Sequence, residues 1–431
     1  MESLRSGLGA IGRPHALDRR GFLQLAGLGG LSWLTPVSHL LARAAEASKG
    51  REPAQSIILL WLAGGPSQLE TFDPHPGTMI AGGTQAIATA VPGVQLARGF
   101  EGLAERLKDV ALVRSMVSKE ADHARGTYLV KTGYRPDPTI VHPSIGAICC
   151  HELPAGKTEI PRHISILPGQ WPSRGGFLGE AYDAFKMGDP AEKVPDITPQ
   201  VSPERDRERV RDLDVVQKAF FQGRRTRSSS IMTAATISSA RTMMSSAQLK
   251  AFEVLEEPRE LRLAYGDTPF GRGCLAARRL LQVGVRCVEV SLTGWDSHAD
   301  NHNIHRKQLA ILDPALSTLL RDLKEHGLLE KTVVFCAGEF GRTPRINPLA
   351  GRDHWPNGFS LALAGGGIHG GQVIGQTDPE GIQDPVNPVS VADVHATILT
   401  AVGIDPTKIM TSPIGRTITL SDGKPIQALL G

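Results

Sequence analysis

Three short stretches of this chain hold the side-chain types that bind cations. The first, Gly294-Trp295-Asp296-Ser297-His298-Ala299-Asp300-Asn301-His302, sets carboxylates and imidazoles close together. The second reads Glu339-Phe340-Gly341-Arg342-Thr343-Pro344-Arg345-Ile346-Asn347, and the third Gly351-Arg352-Asp353-His354-Trp355-Pro356. Carboxylate oxygen and imidazole nitrogen both suit zinc or manganese, so Asp296, His298, Asp300 and His302 are the leading ligand candidates. The alternative is a solvated helix cap with spare histidines. Arg114, Arg125, Arg342 and Arg345 carry guanidinium forks that match phosphate or sulfate, with a surface or ion-pair role equally open for each.

The flanking residues indicate how these groups are held. Val285–Leu292 and Lys331–Ala337 are continuous apolar, β-branched runs, which read as strands buried on both faces. Between them, leucines 309, 312, 316, 319, 320 and 323 mark one face of a helix from about Ile304 to His326. Strand, helix and strand make a βαβ unit, hence a parallel sheet with a right-handed crossover. Both acid-rich loops then leave the carboxyl ends of neighbouring strands, where open α/β sheets bind ligands. Further strands are predicted at Ser56–Leu62, Val110–Arg114, His163–Leu167 and Phe359–Leu363. From about Ser202 to Leu281 there is no strand signal, and the composition predicts a helical insertion, with a cap over the site as one arrangement.

The amino terminus has the layout of an export leader. Asp18-Arg19-Arg20-Gly21-Phe22-Leu23-Gln24 precedes a moderately apolar stretch from Leu25 to Leu41, and Ala42-Arg43-Ala44 or Ala45-Glu46-Ala47 supplies a small-residue cleavage site. Residues 1–47 are thus expected to be a twin-arginine signal peptide, with an ordinary basic helix as the alternative. Its partner during export would be the twin-arginine translocase, and the mature protein would be periplasmic or secreted. Glycines, Pro36 and His39 interrupt the stretch and argue against a stable membrane span. The full chain has 431 residues and a formal net charge of +3, with no basic stripe that would point to nucleic acid. Its five cysteines include no Cys-x-x-Cys pair and are expected mainly as buried thiols, one disulfide being possible. Gly-x-Ser-x-Gly, His-Glu-x-x-His and phosphate-loop patterns are absent.

The leader, the Glu339–Thr343 motif and the Gly351–Trp355 motif together resemble the bacterial domain-of-unknown-function 1501 family, from Ile57 to the C-terminus. That family looks like a divergent branch of the alkaline phosphatase and sulfatase superfamily. The resemblance implies an alkaline-phosphatase-like α/β fold over residues 48–431, with a mostly parallel central sheet, helices on both faces and the insertion at about 202–281. It also implies one or two divalent cations, zinc first, with manganese or calcium as alternatives. By this likeness Asp296–His302 stands in place of an Asp-x-x-x-His ligand pair. Glu339 stands where an Asp-His pair is usual, with Phe340 in the histidine's place. Glu339 is then either a ligand or the salt-bridge partner of Arg342 or Arg345. His354 matches a last histidine ligand, and Asp353 would orient it or bind metal itself.

Two departures bear on mechanism. Where the superfamily has a metal-binding Asp after its first strand, this chain reads Leu62-Ala63-Gly64-Gly65-Pro66-Ser67, and the nearest acids are Glu70 and Asp73. Counting back from Thr132-Gly133 to the usual nucleophile reaches His123, while Ser67, Ser115 and Thr127 match poorly. A single cation with His123 as base, phosphoryl acceptor or third ligand fits these losses better than a two-metal site. The expected catalytic set is His123, Arg125 and Arg342. The expected activity is metal-dependent hydrolysis of a phosphate or sulfate ester, on an anionic small molecule or glycan. The alternative is a binding or scaffold protein that has kept the fold and lost the chemistry.

Overall fold

The computed structural model describes residues 52–221 and 227–431; the expected leader lies outside them. The central sheet is built from β1 (Ser56–Ala63), β2 (Val110–Val117), β3 (His163–Ile166), β4 (Phe185–Met187), β5 (Cys287–Thr293), β6 (Thr332–Ala337), β7 (Phe359–Gly365), β8 (Val373–Ile374) and β9 (Val389–Ser390). Its order is β8-β2-β7-β6-β1-β5-β3-β4, with β9 also paired to β2. Every pairing is parallel except those of β7, which runs antiparallel between β6 and β2.

The two strands predicted to be neighbours are parallel but not adjacent. β1 lies between them, with Ile57 opposite Cys287 on one side and Val333 on the other. The reason is burial: Ile57 to Leu62 is apolar throughout and fully inside, which suits the middle of a two-faced sheet. Alternate residues of β1 serve opposite cores. Ile58, Leu60 and Leu62 pack with the helices Pro269–Gln282 and Asn301–Glu325. Ile57, Leu59 and Trp61 face the helices His123–Thr132, Ile145–Glu152 and Val391–Ala401.

Local chemistry sets the helix ends. The Asp122 carboxylate accepts from the Arg125 N–H and starts His123–Thr132, which Gly133 closes at φ 79°. Ser390 and Asp393 form a reciprocal capping box on Val391–Ala401. The long helix begins at Asn301, earlier than its leucine face predicts, and that whole leucine face is buried. Residues 203–282 form a series of helices joined by short turns where described; the last helix, Pro269–Gln282, carries Phe270, Leu275 and Leu280 into the core beside the sheet. All five cysteines are buried and free. No described helix is long and apolar enough to cross a membrane.

Candidate functional site

The carboxyl ends of β1, β2, β5 and β6 meet at one edge of the sheet, and antiparallel β7 begins there. Each sends one piece of chain into the same cluster. β1 ends at Gly64; β5 leads to Asp296 and His298; β6 leads to Glu339 and Phe340; the helix after β2 begins with His123. Asp353 and His354 arrive just ahead of β7.

Three imidazoles are oriented in one way. His123 Nδ1 lies 2.6 Å from Glu339 Oε1, His298 Nδ1 lies 2.9 Å from Asp353 Oδ1, and His354 Nδ1 lies 2.7 Å from the Ala121 carbonyl oxygen. Carboxylates and carbonyls only accept, so each Nδ1 carries the proton and each neutral ring leaves Nε2 bare. All three Nε2 atoms turn toward Asp296: His123 at 3.4 Å from Oδ2, His298 at 3.2 Å and His354 at 3.5 Å from Oδ1. His298 Nε2 and His354 Nε2 are themselves 3.0 Å apart. Two bare nitrogens at that separation repel unless a proton or a cation sits beside them.

The surroundings fix this geometry. Arg342 is fully buried; its Nε donates to Gly65 O at 2.8 Å, its Nη1 to Arg352 O at 3.1 Å, and its Nη2 to Gly64 O and to Asp296 Oδ1, the last at 2.6 Å. Burial works to raise the Asp296 pKa, but the Arg342 hydrogen bond and charge outweigh it, so the carboxyl lies below its usual range. Glu339 is buried, accepts the Gly64 N–H at 2.9 Å through Oε1, and leaves Oε2 without a partner. Its hydrogen bond to His123 raises that imidazole's pKa, while burial lowers that of His354. The Phe340 ring packs 5.1 Å from His123 and 4.4 Å from His354, centroid to centroid.

The donor set fits a divalent cation. Asp296 Oδ1, His298 Nε2 and His354 Nε2 form a triangle with edges of 3.0, 3.2 and 3.5 Å. A tetrahedral zinc with bonds of about 2 Å separates its ligands by about 3.3 Å. His123, Asp296 and His354 also bring one donor atom each within 4.8 Å of one another. In metal sites the second ring nitrogen of a histidine ligand is normally held by a carboxylate or carbonyl, as all three are here.

Several expected residues lie elsewhere. Asp300 sits at φ 50° before the long helix and accepts from Asn303 Nδ2 at 2.7 Å. His302 meets Thr84 Oγ1 at 3.2 Å and Glu70 Oε1 at 3.4 Å, because the early helix start turns it from the cluster. Asp353 orients His298, not His354. Glu339 pairs with His123 and with neither Arg342 nor Arg345. Arg342 spends its donors inside the protein, and Arg125 is exposed and paired with Glu120 at 2.7 Å. Arg114 lies 3.5 Å from Asp73, and Arg345 is exposed. Glu70 and Asp73 are both buried, Glu70 against Arg352 at 2.8 Å and Asp73 against Thr377 Oγ1 at 2.6 Å. The Ser115 hydroxyl donates to Asn387 O at 2.6 Å.

The sequence places Phe340 only as a histidine's replacement and gives no sign of the Ala121 carbonyl. Gly64 was legible only as a turn, yet at φ 120° a Cβ there would lie 2.5 Å from Asp296 N. Its position directly after a buried strand was the available signal.

Residues 54–430 match the family described as protein of unknown function DUF1501. The chain belongs to this family. No curated protein matches it. Among solved structures, this DUF1501 chain is similar to the lipoteichoic acid synthase LtaP from Listeria monocytogenes, at 12% identity over 90% of this chain and 82% of that one, with a TM-score of 0.38. The alkaline phosphatase of the Antarctic bacterium TAB5 gives 13% identity, 82% and 99% coverage and a TM-score of 0.37. The PsFucS1 sulfatase from Pseudoalteromonas sp. gives 14% identity, 84% and 70% coverage and a TM-score of 0.36.

Proposed function

We propose that this DUF1501 protein is an exported, metal-dependent hydrolase that cleaves a phosphate or sulfate ester. We further propose that one divalent cation, zinc first, is held by His123, His298, His354 and Asp296. The observation that carries this reading is the common orientation of the three imidazoles, each tied through Nδ1 and each turning Nε2 to one carboxylate. Such a cation would polarise the ester and lower the pKa of attacking water. The chain's own part is placement. Glu339 holds His123, Asp353 holds His298, Ala121 holds His354, and Arg342 locks Asp296 to the Gly64–Gly65 turn. With Asp296 and His298 exposed, the cluster is open to solvent and to a substrate.

Elemental analysis of protein purified without chelators or a histidine tag tests the site. We expect about one equivalent of divalent cation in the wild type and none after alanine replacement of both Asp296 and His354; unchanged content in that variant would sink the assignment. Activity is tested with phosphate and sulfate monoester panels, with turnover expected in the wild type and lost in His123→Ala. A second reading, a binding or scaffold protein, is favoured by one observation: the Arg342 guanidinium is spent on internal contacts and is not presented to an anion. Metal retention without turnover on any ester would select it.

A further inference from the structure

The helix that begins with His123 also forms one wall of a cavity of about 190 Å³. Ala124, Thr127, Tyr128 and Lys131, at helical spacing, face Trp171 and Ser173 across it. Its first wall residue, Ala124, directly follows His123 in the chain. One water needs only about 10–15 Å³ of such space, so the cavity holds several waters and has room for one six-membered ring.

The chemistry of the walls narrows the ring. Lys131 is buried at the floor, yet its Nζ donates to Glu289 Oε1 at 2.9 Å and Trp171 O at 2.8 Å, and lies 4.9 Å from the centre of the Trp61 ring. Glu289 also accepts from the Ser165 and Ser173 hydroxyls. The Lys131 charge is thus cancelled, so the floor does not select an anion; the other cationic residue of the lining, Arg174, is exposed. Hydroxyl groups remain along the walls. Thr127 makes no side-chain hydrogen bond among the described residues, Ser144 Oγ accepts from Ala147 N and keeps its proton to donate, and Ser173 Oγ keeps acceptor capacity. Trp171 is exposed at the mouth and offers an apolar face. An aromatic face with several hydroxyls around a neutral floor suits a ring that is apolar on its faces and polar at its edge.

We infer that this cavity binds one neutral sugar ring, the part of the substrate that bears the ester, an inference that rests on the hydrolase reading above. The test uses ligand-observed saturation-transfer NMR on the purified protein, with methyl glucoside, methyl galactoside and methyl mannoside as probes and p-cresol as a ring without the hydroxyl array. We expect at least one glycoside to bind. Its affinity should fall about tenfold or more, a loss of at least about 1.4 kcal/mol, in Thr127→Leu, which fills the cavity, and in Trp171→Ala, which removes the platform. Trp171→Phe should retain binding. Should Thr127→Leu not fold, Trp171→Ala decides alone, since that side chain lies at the surface. Binding of p-cresol without any glycoside, glycoside binding indifferent to both variants, or no binding at all would each overturn the inference. Asp296→Ala separates this question from the metal: glycoside binding there should persist while the cation is lost. A wild type that holds metal but binds no glycoside fails the sugar ring alone.

Discussion

At the scale of single residues, the cluster is a set of imidazoles whose protonation is decided by what holds their far side. Glu339 raises the His123 pKa through its hydrogen bond, so a proton competes with a cation for Nε2 more strongly than at an ordinary imidazole. Metal affinity should therefore fall as pH drops through the His123 pKa, and the fall should begin above ~6.5, the ordinary histidine value. Glu339→Gln keeps a hydrogen-bonding oxygen but removes the charge. It should move that fall to lower pH and weaken metal binding at pH 8 by about 10- to 100-fold, the usual effect of losing such a supporting group. Chelator-competition titrations across pH would read both. Equal affinity in Glu339→Gln and wild type would mean His123 is not a ligand.

At the scale of elements, the site depends on how closely two strand ends approach. Gly64 at the end of β1 lies against the backbone of Asp296 beyond β5, and Gly64→Ala would put a Cβ 2.5 Å from Asp296 N at φ 120°. Strain of about 1–3 kcal/mol follows from the backbone conformation alone, with the clash added to it. Gly77, at φ 80° with no atom within 4 Å of its would-be Cβ, is the control and should cost only about 1–2 kcal/mol on replacement by Ala. Urea unfolding with parallel metal analysis checks this: Gly64→Ala should lose both stability and cation, and Gly77→Ala should keep the cation. The same contact marks where sequence reasoning stopped. Continuous apolar runs made β1, β5 and β6 readable, and leucine spacing made the long helix readable, because burial is written into local pattern. Asp296, His298 and His354 were nameable by type. That β1 inserts between β5 and β6, and so aims Gly64 at Asp296, depends on pairing across the chain, which no local pattern records. The misplacement of Asp300 and His302 has a local cause, since the helix starts at Asn301 and rotates both away.

At the scale of the whole molecule, two buried histidines outside the ligand set govern its tolerance of acid. His305 and His395 are fully buried, and burial pushes each pKa down to about 4. His305 donates from Nδ1 to Asn301 O and accepts the Ser67 N–H at Nε2, so a second proton has no place. His395 pairs Nε2 with Val130 O and leaves Nδ1 buried without a partner. In the unfolded chain both titrate near ~6.5, so between there and about 4 the unfolded state binds more protons. Their contribution to stability is complete above that window and lost as pH falls through it. Urea midpoints should drop from pH 7 to pH 4.5, and His395→Asn should flatten the slope; an unchanged slope would show that His395 charges without cost. The strand order has a temporal meaning as well. β1 stands at the middle of the sheet, yet its partners begin only at Cys287 and Thr332. During synthesis the most apolar strand is made early and must wait for most of the chain before either edge is covered. Until then it is an unpaired template for other chains, so shielding of the nascent polypeptide governs how much of it reaches the folded state.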